Sequence, residues 1–260
     1  MWWGGYCYHA QILFPTWHRA YVYRLENALR SVRGCEDVSL PFLDWCDPET
    51  SASGLPDTFC QKQFTLGDGS KIRNPLYSYA FQAGVFDNLS TFPDTDYTKP
   101  FGYETVRYPL SGLVGNSDQV TITENYNASW SETDSKAALN DNIKNWLNLG
   151  VEVHSGKKVP IGTAQKFRQC LDAPNYTVFS NTSSATQYNQ EHVQHGDAKS
   201  LVTALESPHN DMHLAVGGYH IPSGPLHINP NPGAVVDGTP NGDMVGIRGH
   251  HTQLALADIV

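Results

Sequence analysis

The histidines carry most of the chemical capacity of this chain. There are 11 in 260 residues, and four of them fall into two pairs. His209 and His213 stand at i and i+4 within Glu206-Ser207-Pro208-His209-Asn210-Asp211-Met212-His213. On a helix that spacing puts both imidazoles on one face, one turn apart, where they can hold one metal ion. It equally suits two solvent-facing side chains on a surface helix. A zinc-hydrolase helix needs Glu directly after the first His as general base. Asn210 stands there instead, which weakens a hydrolase reading. His9 and His18 are separated by about two and a half helical turns and cannot share a metal on one straight helix. Pro15 suits the first turn of a helix. His9 is therefore expected in the loop leading in, and His18 in the opening turn.

The elements that must position these residues read as mainly helical. Residues 11–33 give the clearest helix, with Trp17, Tyr21, Leu25 and Leu29 recurring every four residues and Gly34 as a C-cap. Residues 40–110 carry Pro41, Pro48, Pro56, Pro75, Pro93, Pro100 and Pro109 and read as loop with short helical turns. A second helix is predicted over 135–149, with Leu139, Ile143, Trp146 and Leu147 on its apolar stripe. A third is predicted over 160–171, opening at Pro160. A fourth runs over 197–215 with a break at Pro208. After Gly217-Gly218, Pro, Gly and Asn crowd the chain up to residue 243. With no repeat and no composition step, one domain is the simplest organisation.

Composition removes several function classes. The formal charge is −9 and there is no Lys/Arg cluster, which argues against nucleic acid as the main partner. No run of about 18 apolar residues exists to make a membrane span. The N-terminus, Met1-Trp2-Trp3-Gly4-Gly5-Tyr6, shows neither a basic nor an apolar region of a signal peptide. Sequons at Asn88, Asn127, Asn175 and Asn181 permit secretion without indicating it, so localisation stays open. Five Cys without a CxxC pair are too few for a disulfide scaffold or a zinc ribbon. His154, His192, His195, His220 and His227 lie in loop-like stretches and read as surface or packing residues.

The two His segments together resemble the tyrosinase family, the type-3 copper proteins. Gly4-Gly5-Tyr6-Cys7-Tyr8-His9-Ala10-Gln11-Ile12-Leu13-Phe14-Pro15-Thr16-Trp17-His18-Arg19 is similar to the first copper signature of that family, and Leu205 through Gly218 to the second. Pro41-Phe42-Leu43-Asp44-Trp45 and Asn175-Tyr176-Thr177-Val178-Phe179 are family-like as well. The likeness covers roughly residues 4 to 244. It implies a four-helix bundle around two copper ions, each held by three imidazoles, with long irregular loops outside. Imidazole suits copper in both oxidation states. The implied reaction uses O2 to oxidise small phenols, o-diphenols to o-quinones and monophenols after hydroxylation. The resemblance makes His9 and His18 ligands of the first copper, and His209 and His213 ligands of the second. It implies a thioether between Cys7 and His9, against the plain reading of a reduced thiol. Cys35, Cys46, Cys60 and Cys170 then allow two disulfides or none. Asn210 is implied to help deprotonate monophenols; the plainer readings are that it orients His209 or caps a helix after Pro208.

The chain departs from the family pattern at both ends. Another His is expected well upstream of Cys7, and none of the eight residues before His9 is His. A third ligand of the second copper is expected in Asp-Pro-(Ile/Val)-Phe-x-x-His-His-x-x-x-Asp-Arg. After Met244 the chain reads Val245-Gly246-Ile247-Arg248-Gly249-His250-His251 without that frame. This divides the chain into an incomplete copper-binding central domain, 1–244, and an unrelated-looking tail, 245–260. Either His251 substitutes as ligand in a divergent member, or the polypeptide is an incomplete or frame-shifted product with little turnover. A non-catalytic O2 carrier and a zinc-binding hydrolase are the alternative functions.

Overall fold

The computed structural model describes residues 9–84, 86, 98–112, 116–149, 151–154, 157–160, 162–194, 200–217, 219–220 and 229–230. Helices dominate them: α1 (Phe14–Arg30), α2 (Pro48–Ser53), α3 (Asp57–Cys60), α4 (Ser117–Ala128), α5 (Glu132–Leu149), α6 (Thr163–Gln169), α7 (Tyr176–Ser180), α8 (Thr182–His192) and α9 (Glu206–Gly217). The strands form three small antiparallel hairpins, β1 (Gln63–Thr65) with β2 (Lys71–Arg73), β3 (Val151–His154) with β4 (Lys157–Pro160), and β5 (Tyr219–His220) with β6 (Asn229–Pro230). The mainly helical class with long connections is as expected. None of the described helices is long and apolar enough to cross a membrane.

The chain divides into two compact units. Among the described residues, the first holds those within 9–51 and 146–212. In it, Val178, Ala185, Val202 and Ala204 form an apolar cluster, with Ala173 and Tyr188 packed against it. The extended run before α9 is held by side-chain amides. Asn189 accepts from the Val202 N–H at 2.9 Å and donates to its carbonyl at 2.8 Å, pairing that backbone as a neighbouring strand would. The Leu205 N–H donates to the Phe179 carbonyl at 2.8 Å. The Thr163 hydroxyl, at the start of α6, lies 2.8 Å from the Trp146 carbonyl at the end of α5.

Among the described residues, the second unit holds those within 52–145 and 213–230. Leu139 and Ile143 of α5 are buried in it. The α9 C-terminus leaves carbonyls that need partners. Asn142 Nδ2 donates to Ala215 O at 2.8 Å, and the Tyr108 N–H donates to Val216 O at 3.0 Å. Asn74, itself buried, donates to the carbonyls of Thr58 and Gln61. Gly54 has φ +81°, a left-handed conformation that favours glycine, and it lies against Asn140, whose Oδ1 accepts from the Leu55 N–H.

Several expected boundaries move. Ser31 caps α1, and Gly34 sits in the turn beyond it with φ +87°. Of the expected stripe, Trp17, Tyr21 and Leu25 are only half-buried and Leu29 is exposed; Phe14 and His18 form the buried face of α1. Pro160 closes β4 opposite Val151; α6 starts after Gly162 and ends in a 3-10 turn over Cys170–Asp172. Residues 201–204 are not helical, and Pro208 lies in the first turn of α9, where a missing N–H costs no helical bond, so it breaks nothing. His192 ends a helix, stacked on Tyr188, and His154 and His220 lie in strands rather than loops. His195 and His227 lie outside the described residues.

Candidate metal centre

Three imidazoles converge from two segments almost two hundred residues apart. His9 comes from the turn before α1, His18 from the second turn of α1, and His209 from the first turn of α9. One potential ligand atom of each lies within 4.8 Å of the others. Ring centroids are 5.3 Å apart for His9 and His18, 5.6 Å for His9 and His209, and 4.9 Å for His18 and His209.

Local chemistry fixes these rings. His18 Nδ1 lies 2.8 Å from the Phe14 carbonyl one turn back, and its donation there leaves the Nε2 lone pair for a metal. Phe14 is 2 % exposed and touches all three imidazoles, with centroids 5.4, 4.2 and 5.0 Å from His9, His18 and His209. Its ring gives the group an apolar floor. Trp17 stands edge-on to His18 at 4.9 Å.

Two buried carboxylates hold the segments that carry the rings. Glu206, 2 % exposed, accepts from the Ala10 N–H at 2.6 Å through one oxygen. Its other oxygen accepts from the Thr182 N–H and hydroxyl at 2.9 and 3.0 Å. Ala10 has φ +56°, a left-handed conformation unusual for alanine, directly after His9. The helix bearing His209 thus grips the turn bearing His9. Asp211 pairs with Lys166 of α6, Nζ to Oδ2 at 2.9 Å, and lies 3.0 Å from the Thr163 hydroxyl.

His213 lies one turn beyond His209 on α9, half-buried, and does not belong to the converging group among the described residues. Asn210 is half-buried inside the helix, so it is not its N-cap. The caps are elsewhere. Asn175 and Asn181, flagged as sequons, accept from Val178 and Ser184 at the starts of α7 and α8, and Asn181 is buried. Among the described residues, no two of Cys35, Cys46, Cys60 and Cys170 are joined by a disulfide. Cys7, its thioether and the His250-His251 pair lie outside the described residues, as does the tail from 245. Sequence reasoning missed Glu206, Phe14, Asp211 and Lys166. Glu206, three residues before His209, is the one with a local signal, since a buried acid in a first turn must find donors.

The donor set suits a metal of borderline softness. Neutral imidazoles in an apolar surround bind copper, and neither thiolate nor carboxylate is in the group.

Residues 1–247 match the family model described as the common central domain of tyrosinase. The chain is 46% identical over 257 residues to a tyrosinase of Aspergillus oryzae, covering 94% of this chain and 45% of that protein. It is 46% identical over 249 residues to the tyrosinase HcTyr2 of a Hahella species, covering 93% and 42%. A solved tyrosinase of Burkholderia thailandensis superposes with a TM-score of 0.75 at 41% identity, covering 99% of this chain and 45% of that one. The chain thus spans under half the length of these relatives.

Proposed function

Because the chain belongs to the tyrosinase family, a family of dinuclear copper proteins that use O2, we propose that His9, His18, His209 and His213 hold copper and that small phenols are oxidised there. His9 and His18 serve the first ion and His209 and His213 the second. Copper held by these imidazoles would supply the redox chemistry that links O2 to the phenol. The products are o-quinones, reached directly from o-diphenols and through hydroxylation from monophenols.

The chain's own residues prepare the site. His18 presents Nε2 because its Nδ1–H is spent on Phe14 O. Phe14 packs against all three ligand rings and supplies an apolar side to the group. Glu206 holds the backbone next to His9 and so sets where that ring sits. The Lys166–Asp211 pair ties α9 to α6, fixing the helix that carries His209. Asn210 follows that ligand in the chain; its amide would orient the imidazole and, with an acidic residue and a water that accept the proton, assist deprotonation of a bound monophenol.

The observation that supports this reading is the meeting of His9 and His18 with His209 in a family whose members use copper. It also disfavours a zinc hydrolase built on the second His pair alone. The test is O2 uptake with catechol by the copper-loaded 260-residue chain. Uptake is expected to require copper and to vanish in His209→Ala. Uptake that persists without copper, or unchanged in that variant, overturns the proposal. The readout is copper dependence, so it holds at low turnover too.

A further inference from the structure

The second unit contains a cavity of about 350 Å³ that the histidines do not line. Its volume falls within the ~300–1,000 Å³ range of small-ligand sites. Phe59, Tyr77, Tyr108 and Leu139 provide flat apolar walls. Arg107 stands among them. Its Nη1 donates to Phe59 O at 2.7 Å and its Nη2 to Leu76 O at 2.6 Å. Both acceptors are neutral carbonyls, so the guanidinium is fixed in place with its charge unmatched.

The other charges lining this cavity are matched. Lys62 faces Glu132 at 3.8 Å, Lys136 pairs with Asp57, and Glu104 pairs with Arg73 at 3.2 Å. Among the described residues no carboxylate lies within ion-pair distance of Arg107. Burial lowers the Arg107 pKa from the ordinary arginine value and raises those of Tyr77 and Cys60, and it pushes Tyr108 up to about 12. Even so lowered, a guanidinium stays charged. Five N–H groups leave three beyond the two spent on carbonyls, and a planar fork suits a carboxylate.

We propose that this cavity binds a small aromatic monocarboxylate, its ring between the tyrosine and leucine walls and its carboxylate on Arg107. One unmatched cation fits a monoanion. A phosphate would bring more charge than the cavity balances, and a neutral ring would leave Arg107 unpaired. The proposal does not depend on the copper reading.

The test is calorimetric titration of the full 260-residue chain with benzoate, benzamide and inorganic phosphate. Benzoate is expected to saturate one site, benzamide to bind at least ~10-fold more weakly, and phosphate to give no saturable heat. Equal binding of benzamide, or tighter binding of phosphate, overturns the proposal. Arg107→Met also strips donors from two carbonyls and risks misfolding, so a second variant carries the location. Ser135 lines the cavity from α5 and is half-buried. Ser135→Trp should abolish benzoate binding while His209→Ala leaves it intact. Binding lost in His209→Ala but retained in Ser135→Trp would place benzoate at the histidines and refute the site.

Discussion

Removing the Lys166 charge should be among the most damaging single changes in the first unit. Lys166 is 1 % and Asp211 6 % exposed, and Nζ stands 2.9 and 3.2 Å from the two carboxylate oxygens. Lys166→Met removes the cation and leaves a buried carboxylate beside the Thr163 hydroxyl. Breaking one partner of a buried pair costs about 3–5 kcal/mol. That is a large share of a typical domain stability of about 5–15 kcal/mol. Replacing both partners by apolar side chains of similar size tends to be neutral or better, because no desolvated charge remains. Lys166→Met/Asp211→Leu should therefore recover most of the loss. The surface pair Arg30–Glu26, with side chains 37% and 22% exposed, provides the contrast. Breaking it should cost about 0–1 kcal/mol. Urea unfolding followed by tryptophan fluorescence reads all three, since the buried Trp146 offers its carbonyl to the same Thr163 hydroxyl. A Lys166→Met cost below about 1 kcal/mol, or a double variant no better than the single, would refute this reasoning.

Further consequences follow from other contacts. Glu206→Ala strips the acceptor from the Ala10 N–H and from both Thr182 donors, so it should lower stability by about 2–4 kcal/mol. It should also weaken copper retention, measured by chelator competition. Gly162→Ala would drive a Cβ into the Leu147 carbonyl oxygen and set it 2.7 Å from the Asn148 carbonyl carbon, so the α5–α6 junction must shift; the melting temperature should fall. Burial holds Tyr108 protonated up to about 12 against an ordinary value of 10.0. Its contribution is whole below pH 10 and is lost as pH rises toward 12, because the unfolded chain releases that proton first. Stability against pH should therefore fall more shallowly in this window for Tyr108→Phe than for the parent; equal slopes would remove Tyr108 from the cause.

How much was legible varied with the physics of each element. The α5 stripe of Leu139, Ile143, Trp146 and Leu147 is the period of a helix that buries one face, and all four are buried. Helices α4 and α8 carry no such stripe. Their signals were in the caps instead. Asn116 and Gln119 form a reciprocal capping box before α4, and Asn181 caps α8. Pro160 and Pro208 depart from expectation in opposite directions, since a proline can equally close a strand edge or open a helix. At the candidate site, the His spacing placed His209 on a helix and His9 in a turn. It could not show that Glu206 bonds the backbone of Ala10, a contact 196 residues away along the chain. Nor could it show that His18 and His209 come within ring contact of each other.

Copper bound by the 260-residue chain, measured after loading and exhaustive dialysis, tests the proposed centre most directly. Copper should be retained by the parent and largely lost in both His18→Ala and His209→Ala, each still folded by circular dichroism. A parent that retains no copper, or variants that retain as much as the parent, would contradict a copper centre built on these imidazoles.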